Sequence, residues 1–164
     1  MKVGMVISMD FEGALSDPIN RQILQDLSVD ARLPIAELAR RTGLSAPSVS
    51  ERIRRLEDLE IITGYAAQFA PVALGYDVGV FIRIRPLAGQ VAQVAELVAQ
   101  MDEIVECHRV TGEDCFIAKA YLRSIRDLEP LMDKLLPLAQ THTSIIQSTP
   151  VPPRAPAIVR RADD

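Results

Sequence analysis

The chain has 164 residues, 48% of them hydrophobic and 24% charged, with a formal net charge of −4; this balance excludes a disordered polymer and a protein that coats nucleic acid through its overall charge. No stretch approaches the ~18 uninterrupted apolar residues of a membrane span, and Met1 to Met9 is too short for a signal peptide, so a cytoplasmic protein is expected. The two cysteines, Cys107 and Cys115, are too few for a disulfide framework and fit a reducing compartment.

Residues 1–15 show no sustained period and read as a flexible extension. Asp17 followed by Pro18 has the form of an N-cap and first helical residue, and Ile19, Ile23, Leu24 and Leu27 then lie along one face of a helix ending near Asp30. Pro34 can start a second, short helix with Leu38 and Ala39 inward. Gly43 is placed to end it in a left-handed turn that Leu44 plugs. Ser45 is a plausible N-cap for a third helix, with Pro47 in its first turn, where a missing N–H costs nothing, and Val49, Ile53 and Leu56 as its buried seam. Residues 61–69 have strand character with a bend at Gly64, as in a β-wing or a linker strand.

Beyond Gly75 strands alternate with helices. Val78, Val80, Ile82 and Ile84 alternate with Phe81, Arg83 and Arg85 until Pro86 stops the strand. A helix follows over 90–101, with Val91, Val94, Val98 and Met101 on one seam, and then a strand over 104–110. The same order repeats as a strand over 116–121, a helix over 124–135 with Leu128, Leu131 and Leu135 inward, and a strand over 143–147. Ser124 and Asp127 have the spacing of a capping box. A duplicated βαβ unit of this kind predicts a ferredoxin-like β-α-β-β-α-β sheet with helices on one face and the other uncovered, a surface that commonly finds a partner. Prolines 150, 152, 153 and 156 break regular structure after it.

The expected fold is therefore α+β. It comprises an extension over 1–15, a winged helix-turn-helix domain over 16–64, a linker strand or hinge over 65–76, a ferredoxin-like domain over 77–152 and a loose tail over 153–164.

Ala39, Gly43 and Val49 supply the small contact residue, the turn and the apolar anchor that a helix-turn-helix needs. Charge is segregated in the same sense: Arg32 to Arg55 holds six arginines against Glu37 and Glu51, whereas Tyr65 to Pro153 holds seven basic and ten acidic residues. A local basic patch on an acidic chain points to two jobs, one of them at double-stranded DNA. Ser48, Arg52 and Arg55 lie on the side of the third helix away from Val49, where they can reach bases and phosphates in the major groove. Arg41, Ser45, Pro47 and Arg54 complete the expected DNA-binding set. The competing reading is a small-molecule-binding regulatory subunit or enzyme accessory whose helical hairpin only packs and binds no operator.

Several ordered segments carry a resemblance. Asn20-Arg-Gln-Ile-Leu, Asp30-Ala-Arg-Leu, Glu37-Leu-Ala-Arg-Arg-Thr-Gly-Leu-Ser, Glu51-Arg-Ile-Arg-Arg-Leu-Glu, Ile62-Thr-Gly-Tyr and Glu106-Cys-His-Arg-Val-Thr-Gly-Glu-Asp together resemble the leucine-responsive regulator (Lrp/AsnC) family over about residues 15–150. The resemblance implies an operator-binding transcription regulator, with a nucleoid-associated location. It also implies a C-terminal domain whose sheets pair into homodimers, dimers that assemble into octamers, and an amino-acid effector held around the hairpin at the dimer interface. The corresponding residues are Thr111, Gly112, Glu113, Asp114 and Cys115, the last standing where common members have a second acid.

Read from the residues alone, the same stretch is a polar hairpin tip at which Gly112 relieves backbone strain and exposes amide donors. Cys107 and His108 are strand neighbours that point to opposite faces, so no metal site is expected, and the thiols read as half-buried side chains rather than a redox pair. No nucleophile with a base, positioned carboxylate pair or phosphate loop is present, so neither an enzyme nor a cofactor is expected, apart from the amino-acid effector.

Overall fold

A computed structural model of the chain describes residues 11–158. The chain forms two compact units, one built from the residues up to Ala67 together with those from Pro152 onward, the other from Gln68–Val151.

In the first unit residues 11–16 are helical and precede α1 (Pro18–Val29), α2 (Ile35–Thr42) and α3 (Ala46–Asp58). Each boundary has a local cause. Asp17 caps α1, its Oδ1 accepting from Ile19 N–H at 2.8 Å, with Pro18 opening the first turn. Gly43 ends α2 at φ 71°, ψ 15°, the left-handed conformation that glycine adopts without penalty, and the N–H groups of Gly43 and Leu44 both donate to the Ala39 carbonyl. Ser45 Oγ accepts from Ser48 N–H at the start of α3. Ala14, Ile23, Leu24, Leu38, Ala39, Val49, Ile53 and Leu56 form one buried cluster. At ~1.5–3 kcal/mol for each large aliphatic side chain removed from water, this cluster rather than helix propensity holds three short helices together.

The strand expected over 61–69 is not formed, and no strand lies between Asp58 and Val78. Extended backbone becomes a ladder only beside a partner, and none pairs with this stretch among the described residues. Residues 152–158 carry no helix or strand, yet Ile158 packs against the first unit's cluster, and Ala155–Ile158 line one groove with Leu15, Leu24, Leu27, Ile61 and Ile62. Of the flexible extension expected over 1–15, residues 11–15 are instead helical, with Ala14 buried in the cluster; the rest of it and the tail after 158 lie outside the described residues.

The second unit runs β1 (Val78–Pro86), α4 (Val91–Ala99), β2 (Ile104–Arg109), β3 (Phe116–Leu122), α5 (Leu128–Leu135) and β4 (Ala139–Ile145). The strands pair antiparallel in the order β2-β3-β1-β4, as a duplicated βαβ unit requires. Val80, Ile82 and Ile84 of β1 and Phe116, Ala118, Ala120 and Leu122 of β3 are buried with Val94, Val98, Leu131 and Leu135 of the two helices. Alternation sends Phe81, Arg83 and Arg85 to the opposite face, where Phe81 is 44% exposed and Lys119 stands over the Phe81 and Tyr121 rings.

Two boundaries depart from the pattern. The helix expected from 124 begins as a 3-10 turn over Ile125–Asp127, held by the Ser124–Asp127 capping box, and becomes α5 only at Leu128, with Pro130 in the first turn. The last strand begins at Ala139 and ends at Ile145, ahead of the expected 143–147. In β2 the register shifts between Ile104 and Glu106, so Val105 is bulged out and 57% exposed.

Candidate nucleic-acid interface and effector hairpin

The N-terminal half of α3 and the start of α1 flank an open groove lined by Asp17, Asn20, Pro47, Ser48, Arg52 and Arg55, with Gly13 and Ala14 at its end. Of the residues expected to meet DNA, Arg41, Ser45, Pro47, Ser48, Arg54 and Arg55 are exposed and Arg52 is half-buried. Ser45 and Ser48 share a hydroxyl–hydroxyl hydrogen bond of 2.8 Å in addition to the cap.

The arginines are not equivalent. Arg54 pairs with Glu51 one turn earlier at 2.8 Å, both side chains about two-thirds exposed (67% and 66%), a contact that solvent and salt weaken readily. It holds the Glu51 carboxyl below its ordinary range. Arg41 bridges Glu37 and Asp26, both at 2.8 Å. Glu37 also accepts two bonds from Arg40, and these guanidinium contacts, Arg40 first and Arg41 second, lower its carboxyl to about 2. Arg52 is held by Asp17 and Asn20, two residues of α1 and its cap. Arg55 enters no ion pair among the described residues and points its charge outward. The acidic partners Asp17, Asp26 and Glu51 are the members of the site that sequence reasoning missed. Glu51 was within reach, three residues from Arg54, whereas Asp17 and Asp26 meet their arginines only through the packing of the helices.

In the second unit the β2–β3 hairpin closes with Val110 N–H donating to the Cys115 carbonyl at 2.9 Å, and Gly112 sits at φ 111° at its tip. Thr111, Gly112 and Glu113 are exposed, Asp114 is half-buried, and Cys115 turns inward to pack against the sheet's core cluster. The hairpin acids meet a pair of arginines on the uncovered face: Arg83 Nη1 lies 3.5 Å from Asp114 Oδ2, and Arg85 Nη1 lies 3.6 Å from Glu113 Oε2. Alternation had put both arginines on that face, but their pairing with the hairpin follows only from the strand order. Such a set of separated carboxylates, guanidinium groups and free backbone amides can bind both ends of a small zwitterion.

Cys107 and Cys115 are free thiols; Cys115 is half-buried as expected, whereas Cys107 is exposed, and partial desolvation by its neighbours raises its thiol above the ordinary value. Cys107 pairs in register with Ala118, on the helix side of the sheet, and His108 with Ile117, on the other. Among the described residues no cluster of potential ligands is assembled for a metal, and no helix is long and apolar enough to cross a membrane.

A helix-turn-helix unit with an arginine-rich third helix, joined to a βαββαβ unit with one uncovered face, defines a regulator class in which one part reads DNA and the other binds a ligand. The chain matches the AsnC-type helix-turn-helix domain over residues 17–57 and the Lrp/AsnC ligand binding domain over residues 79–156. It is 33% identical over 136 residues to the HTH-type transcriptional regulator LrpA of Mycobacterium tuberculosis, covering 81% of this chain and 91% of the relative, and 32% identical over 132 residues to LrpC of Bacillus subtilis, covering 80% and 92%. Among solved structures, B. subtilis LrpC superposes with a TM-score of 0.76 at 32% identity over 80% of this chain and 94% of its own. The feast or famine regulatory protein of M. tuberculosis complexed with L-methionine superposes with a TM-score of 0.80 at 31% identity, covering 86% and 98%.

The chain belongs to the Lrp/AsnC family: it is a helix-turn-helix transcription regulator with a ligand-binding domain, and not an enzyme.

Proposed function

We infer that the chain is an operator-specific regulator whose DNA affinity is set by an amino acid bound around Thr111, Gly112, Glu113 and Asp114. The observation that carries this reading is the pairing of Asp114 with Arg83 and of Glu113 with Arg85 beside the uncovered sheet face, which assembles opposite charges at one edge of an unpartnered surface. A zwitterion can exchange with these weak, half-exposed pairs, its ammonium group going to Asp114 and its carboxylate to an arginine or to amides of the Gly112 turn. The L-methionine complexes of the M. tuberculosis protein and of a Neisseria meningitidis transcriptional regulator support an amino acid as the ligand class. Cys115, packed inward, supplies backbone rather than a charged clamp in this reading.

On the DNA side, Arg55 and Ser48 read and anchor, Ser45 and Pro47 set the approach of α3, and Arg41 and Arg54 lend charge to the phosphates once their acidic partners are outcompeted. Two protomers pair through the uncovered face around Phe81, and dimers assemble further to octamers, giving a cytoplasmic, nucleoid-associated regulator.

The decisive experiment measures binding of the purified protein to a duplex selected from a random pool, with and without each of the twenty amino acids. The expected result is sequence-specific binding that at least one amino acid changes several-fold. Specific binding that no amino acid alters would overturn the effector half, and no specific binding would overturn the operator half.

A further inference from the structure

Asn20 is the buried polar side chain of the described core, 8% exposed, and both ends of its amide are used. Nδ2 donates to the Ala14 carbonyl at 3.0 Å, and Oδ1 accepts from Arg52 Nη1 at 2.7 Å. The same Arg52 nitrogen donates to Asp17 Oδ2 at 2.5 Å, while Asp17 Oδ1 caps α1 through Ile19 N–H. One carboxylate thus closes the start of α1 and grips an arginine of α3. The two side chains are 32% and 31% exposed, about half the exposure of the Arg54–Glu51 pair, and the guanidinium has a second, buried acceptor. This contact is the harder of the two for a phosphate to displace, because part of its surroundings is already dehydrated.

We propose that Asp17 is a specificity-determining positioning residue for DNA binding: through Arg52 it fixes α3 against α1 and withholds that arginine's charge from the phosphate backbone. A phosphate contact tightens binding to every sequence alike, so an arginine released to the backbone raises affinity for all DNA and lowers the preference for the operator. With Arg52 retained, discrimination rests on the exposed Ser48 and Arg55, which line the same groove. The other charged groups of that groove, Glu51 and Arg55, leave Asp17 as the carboxylate that Arg52 contacts. The proposal rests on α3 being the reading helix.

The test is Asp17→Asn in the full chain, which keeps a side-chain cap as good as aspartate but removes its charge. Affinity is measured for a selected operator and for an unrelated duplex at about 50 to 200 mM salt, a range over which phosphate contacts dominate the change. In the variant, unrelated DNA binds more tightly, the operator preference falls, and the slope of log affinity against log salt steepens by about 0.9, one phosphate's worth. Asp17→Ser, also a capping residue, gives the same change, and adding Arg52→Gln to Asp17→Asn returns the slope to the wild-type value. Wild-type binding with an unchanged slope and preference in both Asp17 variants overturns the proposal alone, as does a steeper slope that survives Arg52→Gln. A wild-type chain that binds no DNA overturns the reading-helix assignment and the proposal with it.

Discussion

Arg83 on β1 and Asp114 on the β2–β3 hairpin approach to 3.5 Å, tying the rim of the uncovered sheet face to the loop that crosses it. The arginine is 53% exposed and the carboxylate 26% exposed, so the contact is wet on one side and exchangeable by a ligand. An amino-acid effector at about 100 times its Kd is expected to stabilise the protein by ~2.7 kcal/mol. Asp114→Asn should abolish that thermal shift while leaving the unliganded melting temperature within a degree or two. A full shift in the variant would move the ammonium site elsewhere.

Arg55 is the arginine of α3 without an acidic partner among the described residues. Arg55→Ala should reduce operator affinity and flatten the salt dependence by about 0.9 in slope, with the oligomeric state unchanged. Titrations at several salt concentrations, with sedimentation alongside, check both halves. A variant that binds as tightly as the wild type at every salt concentration would remove Arg55 from the interface.

Phe81, 44% exposed between Arg83 and Gly79 on the bare face, is expected to lie in the contact between protomers. Phe81→Glu places a charge where apolar area is to be covered and should shift the assembly toward monomer at micromolar concentration. Sedimentation velocity reads this directly, and a wild-type distribution would assign the dimer contact to another surface.

Glu37 adds to the acid sensitivity of the first unit. Its carboxyl is lowered from 4.5 to about 2 by Arg40 and Arg41, so the folded state binds its proton less readily than the unfolded chain does. The sign follows: this contribution is complete above pH 4.5 and is lost as pH falls toward 2. Melting temperature followed downward through this range should fall less steeply for Glu37→Gln than for the wild type, and parallel curves would refute the link.

Gly43 makes the turn that sets α3 against α2. A Cβ there would meet nothing within 4 Å, so the cost of Gly43→Ala is that of holding φ 71° alone. Urea denaturation should show a loss of about 1–2 kcal/mol, the penalty of the left-handed conformation for a residue with a Cβ. An unchanged midpoint would mean that the turn relaxes.

Much of this could be read along the chain wherever the signal was local. Asp17, Pro18, Gly43, Ser45 and the Ser124–Asp127 pair mark helix ends within a few residues of themselves, and the structure places caps at each. The alternation from Val78 to Arg85 likewise gave β1 and its two faces, because the two helices cover one face of the sheet and leave the other bare. The start of β4 was not legible: in Ala139–Ile145 only Ala139 is buried, so an edge strand with polar residues on both faces has no period to detect. The ion pairs of the candidate site were hidden for another reason. Arg52 and Asp17 are 35 residues apart, and Arg41 and Asp26 are 15 apart. Each pair meets only after the helices that carry it pack, so neither can be seen in the sequence of the arginine's own helix.

Ile158 carries a consequence for biosynthesis. The cluster under α1 gains this side chain from the far end of the chain, after the whole of the second unit has been made. Helices α1 to α3 can therefore collapse early, while one wall of the groove beside Leu15, Leu24, Leu27, Ile61 and Ile62 is supplied only once residues 155–158 have been made. A chain cut before Ala155 keeps α1 to α3 but loses the contact of Ile158 with their shared cluster.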